Sequence, residues 1–200
     1  MTWVKVCGLS TEADVTAAVA AGADAVGFVV AERSPRCIPL DTAAALSRGV
    51  AITTVLVTVD LKPTELLAMA AVAGVSGVQP HGRHGPAAAQ AAASEGLFVL
   101  QPVPMRGDVP IEPPRAGIIR MFDTYRPFQH GGTGATFDWR LVADVEPPFV
   151  IAGGLDPSNV AAAIGAVRPW GVDASSGLEG EVGVKDHGKV AAFVREAKQG

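Results

Sequence analysis

The sequence predicts an α/β fold, a single (β/α)8 barrel (TIM barrel) domain of minimal size over residues 1–200, and three observations lead to this prediction. Eight short apolar runs alternate with Ala-rich amphipathic runs along the whole 200-residue chain. The apolar runs are continuous, as in parallel strands that are buried on both faces. Eight such units in about 200 residues correspond to the lower size limit of a closed barrel.

A doubly wound open sheet is the alternative fold, and it would be supported by a nucleotide-binding glycine motif. Gly131-Gly132-Thr133-Gly134 follows a loop and lacks the third glycine of a dinucleotide-binding fingerprint. The chain also has no Gly-Lys-Ser/Thr turn of the P-loop type. Since a doubly wound sheet usually has fewer strands and carries such a fingerprint, the barrel is the better prediction.

The predicted strands and helices follow one another in regular order. The eight strands are Trp3–Cys7, Ala25–Val30, Ile52–Val59, Gly77–Gln79, Leu97–Val103, Gly117–Asp123, Phe149–Ala152 and Gly171–Ala174. The helices are Thr11–Ala21, Asp41–Arg48, Pro63–Ala73, Pro86–Ser94, Phe137–Val142, Pro157–Val167 and Lys185–Lys198. This order is that of a parallel barrel.

Local signals support several helix boundaries. Ser10 or Thr11 is expected to cap the first helix and Asp41 the second, because short polar side chains accept hydrogen bonds from the first turn. Pro63 and Pro157 occupy positions where a first-turn proline is tolerated. The fifth crossover is expected to form a loop or a single turn, since proline removes a helical donor. The prolines concerned are Pro102, Pro104, Pro110, Pro113 and Pro114.

The composition excludes several classes of function. A net charge of −4 without a basic run leaves no electrostatic footprint for nucleic acid. No apolar run approaches the ~18 residues of a membrane helix, and the N-terminus lacks a signal-peptide layout. Cys7 and Cys37 form no CxxC motif and no disulfide framework. We therefore expect a cytoplasmic protein that binds a small molecule, without nucleic-acid or membrane partners.

Two turns near the C-terminus predict a phosphate site. Gly153-Gly154 follows the seventh strand, and Ser175-Ser176-Gly177 follows the eighth. Glycines and bare backbone N–H groups after a strand can surround an anion. In a (β/α)8 barrel the phosphate site is frequently formed by the turns after strands 7 and 8. Two ordinary βα turns are the alternative, because such turns use glycine and Asp-Pro in any case.

Chemistry-bearing residues at the carboxyl ends of the strands form a shortlist, because active sites of such barrels lie at that face. The shortlist is Cys7, Asp60, Gln79 with His81, Gln101, Asp123, Gly153-Gly154 and Asp173 with Ser175-Ser176, and the loop after strand 2 adds Arg33, Ser34 and Arg36.

A series of motifs along the whole chain resembles the phosphoribosylanthranilate isomerase family of tryptophan biosynthesis. The motifs are Val4-Lys5-Val6-Cys7-Gly8-Leu9, Gly22–Val29 with Ser34-Pro35-Arg36, Val78-Gln79 with His81-Gly82, Asp123-Thr124, Gly131–Gly134 with Phe137-Asp138-Trp139, Ala152–Leu155, Val172-Asp173, Ser175-Ser176-Gly177 and Lys185-Asp186-His187. The resemblance implies the Amadori rearrangement of N-(5′-phosphoribosyl)anthranilate to 1-(2-carboxyphenylamino)-1-deoxyribulose 5-phosphate, with no cofactor and no metal.

The resemblance also implies roles for individual residues. Cys7 corresponds to the general base, Asp123 to the general acid and Arg36 to the arginine that receives the anthranilate carboxylate. The phosphate falls on the two turns after strands 7 and 8. His81 joins the substrate-binding set, and so do Gly132 and Gly134, in a loop that we expect to close over the ribose.

The residue types suit that chemistry. Desolvation at the end of an apolar strand would raise the pKa of Asp123 and keep it protonated near neutrality. Cys7 must act as a thiolate and needs a helper. Lys5 lies on the same face of strand 1 as Cys7 and is one candidate. We favour a structural ion pair of Lys5 with Asp173 on the adjacent strand 8, since buried lysines are rare unless paired.

Some roles stay open at this level. Arg36 has the fork geometry that suits a carboxylate but could also be a solvated loop charge. Asp173 could cap the turn after strand 8 as easily as contact the substrate. His81 and His84 lie three apart, but their loop offers no third ligand, so we expect no metal site.

The sequence departs from the family pattern near strands 3 and 4. Pro80 replaces the usual leucine, Arg83 and His84 replace the usual acidic residues, and Asp60 replaces an asparagine. Two alternative functions remain. One is the related phosphoribosyl isomerase of histidine biosynthesis, or dual specificity; the other is a catalytically silent phosphosugar-binding paralogue. A monomer is expected, with a homodimer as the alternative.

Overall fold

The computed structural model describes residues 1–105, 115–124 and 136–200, and eight parallel strands within them close into a barrel. The strands are β1 (Trp3–Cys7), β2 (Ala25–Val29), β3 (Thr53–Val59), β4 (Gly77–His81), β5 (Phe98–Met105), β6 (Ile118–Thr124), β7 (Phe149–Ile151) and β8 (Gly171–Ala174). Each strand pairs with its neighbours in sequence, and β8 pairs with β1. The predicted (β/α)8 barrel is confirmed.

Six α-helices in the described ranges cover the outside of the barrel, and none of them is long and apolar enough to cross a membrane. They are α1 (Glu12–Ala20), α2 (Leu40–Ser47), α3 (Pro63–Ala73), α4 (Gly85–Ser94), α5 (Val160–Val167) and α6 (His187–Gln199). Thr11 caps α1 and forms a reciprocal capping box with Asp14, which confirms one of the two predicted caps. Pro63 starts α3 as predicted.

Three predicted helix starts were wrong. Asp41 is not the cap of α2, because the helix already begins at Leu40 and Pro39 occupies the capping position. Pro157 precedes α5 instead of starting it, since residues 157–159 form a turn. Lys185 belongs to a strand, and Asp186 caps α6 by accepting a hydrogen bond from the Lys189 N–H.

The crossover after β6 contains no α-helix in its described part. The helix predicted for Phe137–Val142 is only a 3₁₀ turn, Trp139–Val142. The Asp138 side chain accepts a hydrogen bond from the Arg140 N–H, a local contact that competes with helix formation. In the fifth crossover residues 115–117 contain no helix, and residues 106–114 lie outside the described ranges.

A two-stranded hairpin after β8 was not predicted. After the short 3₁₀ turn Ser176–Leu178, β9 (Glu179–Glu181) and β10 (Val184–Lys185) pair in antiparallel fashion. Gly183, at a φ of 82°, turns the chain between them. The hairpin adjoins the loop after β2, because a Cβ on Gly183 would lie 3.0 Å from the Pro35 carbonyl oxygen.

The interior of the barrel is apolar at one end and polar at the other. Trp3 stacks on Trp170 with ring centroids 4.9 Å apart, and Phe98 lies beside both rings. This aromatic group packs with four buried side chains, Leu100, Met121, Val150 and Ala152. Towards the carboxyl ends of the strands the inward side chains include buried Lys5, Gln79 and Asp173, so the polar groups face the mouth where a ligand would bind.

Candidate active site

Cys7 and Lys5 lie inside the barrel on the same face of β1, as the period-2 alternation predicted. Lys5 is opposite Asp173 in the register of β1 and β8, and its Nζ lies 2.9 Å from Asp173 Oδ1. Cys7 is opposite Gly27 of β2. A Cβ on Gly27 would lie 2.8 Å from Cys7 Sγ and 3.2 Å from Lys5 Nζ. The glycine therefore leaves room for the sulfur and the ammonium group to lie side by side.

The charges around Cys7 act in opposite directions. Burial raises the pKa of the Cys7 thiol, the positive charge of Lys5 lowers it, and the negative charge of Asp173 raises it again. Burial disfavours the charged form of Lys5, but Asp173 and the Cys7 sulfur more than offset this effect and raise the pKa of Lys5. Lys5 is thus a permanent cation, shared between a structural partner and the thiol.

Asp123 lies at the end of β6 and is half-buried. Burial raises the pKa of Asp123 to about 7, the charge of Asp173 adds to this effect, and Lys5 opposes it. Gly153 follows β7 at a φ of 83°, and a Cβ there would lie 2.6 Å from Asp123 Oδ1. The carboxyl group therefore lies directly against the first of the two predicted phosphate turns.

His81 ends β4 and is a neutral imidazole. Burial and the charge of Lys5 lower the pKa of His81 to about 4. Its Nε2 lies 2.9 Å from Nε2 of the Gln79 side chain. At the same mouth, His81 and Asp123 line a cavity of about 620 Å³. His81 can therefore offer a hydrogen bond to a ligand but no positive charge at neutral pH.

The two predicted phosphate turns have the backbone of an anion site. Gly153 and Gly154 both have positive φ, 83° and 73°. Within the described ranges no acceptor receives a hydrogen bond from the N–H groups of Gly153, Gly154, Ser175 or Ser176. Gly177 packs against the carbonyl of Leu155, which brings the turn after β8 against the turn after β7. Free N–H groups on two adjoining turns can bind an oxyanion.

Arg36 has a partner that the sequence analysis missed. Its Nη2 donates to Glu179 Oε2 at 2.8 Å while its Nε donates to Oε1, and Lys185 Nζ lies 3.0 Å from the same Oε1. A Cβ on Gly8 would lie 2.7 Å from Arg36 Cδ and 2.8 Å from Ser175 Oγ, so Arg36 lies next to the phosphate turn. The acidic residue beside the Ser-Ser-Gly motif was the available signal, but a helix was predicted from Lys185 and the hairpin went unnoticed.

A second cavity, of about 780 Å³, opens beside Arg36. Its walls come from the loops after β2 and β3 and from Met69 of α3, and the lining includes apolar Leu61 as well as charged Glu32, Arg33 and Asp60. The combination of apolar walls and a guanidinium suits a flat aromatic acid.

Two of the residues that depart from the family pattern near strands 3 and 4 contact each other. Asp60 has a φ of 58°, a region in which Asp is better tolerated than most residues, and its Oδ1 accepts a hydrogen bond of 2.6 Å from the Arg83 N–H. Pro80 is buried in β4 and lines the cavity beside Asp123. His84 precedes α4 without a side-chain capping bond. The hydrogen bond between Asp60 and Arg83 thus joins the loops after β3 and β4.

Two of the expected site residues lie outside the described ranges, Gly132 and Gly134, and with them the proposed closing loop. Among the described residues no group of three or more His, Cys, Asp or Glu side chains could hold a metal ion. The other predicted site residues, from Cys7 and Asp123 to the two turns, lie at the carboxyl ends of the strands or in the loops that follow them.

Comparisons with known proteins agree with one another. A family model described as N-(5′phosphoribosyl)anthranilate (PRA) isomerase matches residues 4–196. N-(5′-phosphoribosyl)anthranilate isomerase from Thiobacillus denitrificans is 42% identical over 202 residues, 98% of this chain and 97% of the relative. The crystal structure of phosphoribosyl anthranilate isomerase from Thermotoga maritima has a TM-score of 0.85 and 32% identity over 100% of both chains. The crystal structure of TrpF from Jonesia denitrificans has a TM-score of 0.85 and 36% sequence identity, and the match covers 99% of this chain and 97% of that one.

Proposed function

The chain belongs to the N-(5′-phosphoribosyl)anthranilate isomerase family, and we propose that it converts N-(5′-phosphoribosyl)anthranilate to 1-(2-carboxyphenylamino)-1-deoxyribulose 5-phosphate with Asp123 as general acid and Cys7 as general base. The chain is thus an isomerase of tryptophan biosynthesis, and the proposal concerns the residues that carry its chemistry.

The first step opens the ribose ring. Asp123 donates its proton to the ring oxygen, the bond from that oxygen to C1 breaks, and the nitrogen lone pair forms a C1=N double bond. The raised pKa of Asp123, about 7, supports this role, because an acid works best when its pKa is near the operating pH. Burial of the carboxyl group is the main cause of that pKa.

The second step moves the hydrogen from C2. The Cys7 thiolate removes the C2 proton, and the electron pair flows through C1 to the iminium nitrogen. The enol hydroxyl then loses its proton while C1 gains one, which leaves a ketone at C2 and regenerates the thiolate and the protonated carboxyl group. The cation of Lys5 beside Cys7 supports the thiolate form, although burial opposes it.

The two anionic ends of the substrate are assigned to two different groups of residues at the barrel mouth. The phosphate would bind at Gly153, Gly154, Ser175, Ser176 and Gly177, whose turns adjoin and offer N–H groups that have no acceptor among the described residues. The anthranilate carboxylate would bind Arg36, with the ring in the cavity of about 780 Å³. His81 would donate a hydrogen bond to the sugar, and Asp173 would act through Lys5.

One observation carries the proposal: an inward thiol on β1 and an inward carboxyl group with a pKa of about 7 on β6 both face the interior of one barrel mouth. The test is the loss of anthranilate fluorescence when freshly generated substrate is turned over by wild type, Cys7→Ser and Asp123→Asn. Each variant should lose roughly 10²- to 10⁴-fold in kcat. Cys37→Ser, which replaces the exposed cysteine, is the matched control and should retain activity.

An active Cys7→Ser or Asp123→Asn protein would contradict the assigned roles. A folded wild type without turnover would favour the silent phosphosugar binder, and turnover of the histidine-pathway substrate would favour dual specificity. The monomer, the cytoplasmic location and the single domain remain predictions, and the Thermotoga maritima relative is described as dimeric.

A further inference from the structure

Glu179 is a buried carboxylate that accepts four hydrogen bonds, and the assigned chemistry does not use it. Its Oε1 accepts from Arg36 Nε and from Lys185 Nζ, and its Oε2 accepts from Arg36 Nη2 and from the Gly183 N–H. Its side chain is only 5% exposed. Burial would raise the pKa of Glu179, but these donors more than offset that effect and hold the pKa below its ordinary value. Glu179 is therefore a fixed anion.

We propose that Glu179 is a positioning residue for substrate specificity: it orients the Arg36 guanidinium so that one edge is presented to the substrate carboxylate. This inference rests on the proposed assignment of Arg36 to that carboxylate.

The geometry of the guanidinium supports the inference. Glu179 occupies the side of the fork formed by Nε and Nη2. Within the described part of the chain no acceptor contacts Nη1, so the end-on edge formed by Nη1 and Nη2 remains available. That edge matches a carboxylate bidentately. A lone arginine on a loop samples many rotamers, whereas Arg36 is held on one side by Glu179 and packed against Gly8.

The charge of the group also suits an anionic ligand. Arg36 and protonated Lys185 carry two positive charges and Glu179 one negative charge, although burial lowers the pKa of Lys185 by more than the charge of Glu179 raises it. Without Lys185 the bound Glu179 would neutralise Arg36 and weaken its attraction for a carboxylate.

Lys185 links the two anion sites. Its side chain is fully buried, and its Nζ donates to the Ser175 carbonyl oxygen at 2.9 Å as well as to Glu179. The turn proposed to bind phosphate and the guanidinium proposed to bind carboxylate are thus held by one buried network on the β9–β10 hairpin. The network sets the distance between the two subsites and so favours a ligand that carries both anions.

The test uses two probes that differ only in the carboxylate: the reduced product analogue, 1-(2-carboxyphenylamino)-1-deoxyribitol 5-phosphate, and the same molecule without the ring carboxylate. Binding is measured by titration calorimetry for wild type, Glu179→Gln, Arg36→Met and the double variant. Glu181→Gln is the matched control, because this glutamate lies in the same strand but is exposed. Its affinities should equal those of wild type.

We expect Glu179→Gln to bind the carboxylate probe about tenfold or more weakly than wild type does. Its affinity for the probe without the carboxylate should change by less than about twofold. Glu179→Gln should add no further loss for the carboxylate probe in the Arg36→Met background. Equal losses of affinity for both probes in Glu179→Gln would overturn the inference. So would a loss in the double variant equal to the sum of the losses in Glu179→Gln and Arg36→Met. Because Glu179→Gln removes the anion beside buried Lys185, Glu179→Asp provides a second variant that keeps the negative charge but withdraws the carboxylate from Arg36, and it should show the same selective loss.

The proposed function fails in a different way. If Arg36→Met lost equal affinity for both probes, or wild type bound neither probe, Arg36 would not be the carboxylate ligand, and the role of Glu179 would fall with it. If Arg36→Met lost affinity selectively while Glu179→Gln bound normally, only the positioning role would be overturned.

Discussion

Lys5 and Asp173 face each other across the junction of β1 and β8, where the barrel closes, and their side chains form a buried ion pair of 2.9 Å. Asp173 also raises the pKa of Asp123 and of Cys7, and Lys5 lowers both. The two members of this ion pair therefore shift the pKa of both proposed proton-transfer groups in opposite directions. Replacement of one member at a time can separate their effects.

Replacement of Lys5 should make Cys7 less reactive. Lys5→Met removes the cation that lowers the pKa of the Cys7 thiol, so a higher pH is needed to reach the same thiolate fraction. We expect alkylation of Cys7 by iodoacetamide at pH 8 to slow by about tenfold, equivalent to about one pKa unit. Peptide mass spectrometry gives the rate for each cysteine, and the exposed Cys37 is the internal reference. An unchanged ratio of the two rates at every pH would contradict the role of Lys5.

The pH profile of kcat/KM should rise below about pH 7 and then level off. Asp123 must be protonated and its pKa is about 7, whereas Cys7 must be ionised and its pKa is raised. Between these two values the gain in thiolate with pH is cancelled by the loss of protonated carboxyl group. Residual activity of Asp123→Asn should keep rising with pH through neutrality. A wild-type profile that rises tenfold per unit from pH 7 to 8.5 would exclude Asp123 as an acid with this pKa.

The stability of the fold should also depend on Asp123. Because its folded pKa is raised, the native state binds more protons than the unfolded state between the ordinary value of 3.8 and about 7, so stability falls as pH rises through that window. Asp123→Asn should therefore stabilise the protein at pH 8, by roughly 2 kcal/mol after allowance for partial solvation. Urea unfolding of both proteins at pH 4 and pH 8 tests this. A difference that is the same at both pH values would contradict it.

A side chain at position 153 should be harmful both because of the positive φ and because it would collide with Asp123 and Thr124. A Cβ there would lie 2.6 Å from Asp123 Oδ1 and 2.5 Å from the Thr124 N, at a φ of 83°. Gly96, at a φ of 77° with nothing within 4 Å, is the matched control for backbone strain alone. Both Gly→Ala variants should lose roughly 1 kcal/mol of stability from strain. Only Gly153→Ala should lose more than about tenfold in kcat, by displacing the acid. Equal activities would show that Asp123 accommodates the methyl group.

Local patterns predicted the barrel and most of its site. Continuous apolar runs gave the eight strands, and the alternation of side chains placed Lys5 and Cys7 on one face of β1. Thr11 was one of two candidate caps, with Ser10, because a cap acts on residues only three positions away. The 3₁₀ turn Trp139–Val142 was missed because the contact that competes with a helix, from the Arg140 N–H to the Asp138 side chain, is as local as the helix signal itself.

The sequence by itself determined the eight-stranded parallel barrel and the inventory of groups at its mouth, including Cys7, Asp123 and the two glycine- and serine-containing turns. The pairing of Lys5 with Asp173 followed from the expected closure of the barrel, but only the tertiary structure decided the contact of Arg36 with Glu179. Arg36 and Glu179 are 143 residues apart in the chain, and Lys5 and Asp173 are 168 apart. Such contacts exist because the barrel closes and brings β8 and its hairpin beside β1 and the loop after β2. No periodicity within a single strand or helix encodes that closure, and burial, which follows from it, sets the pKa values on which the proposed chemistry depends.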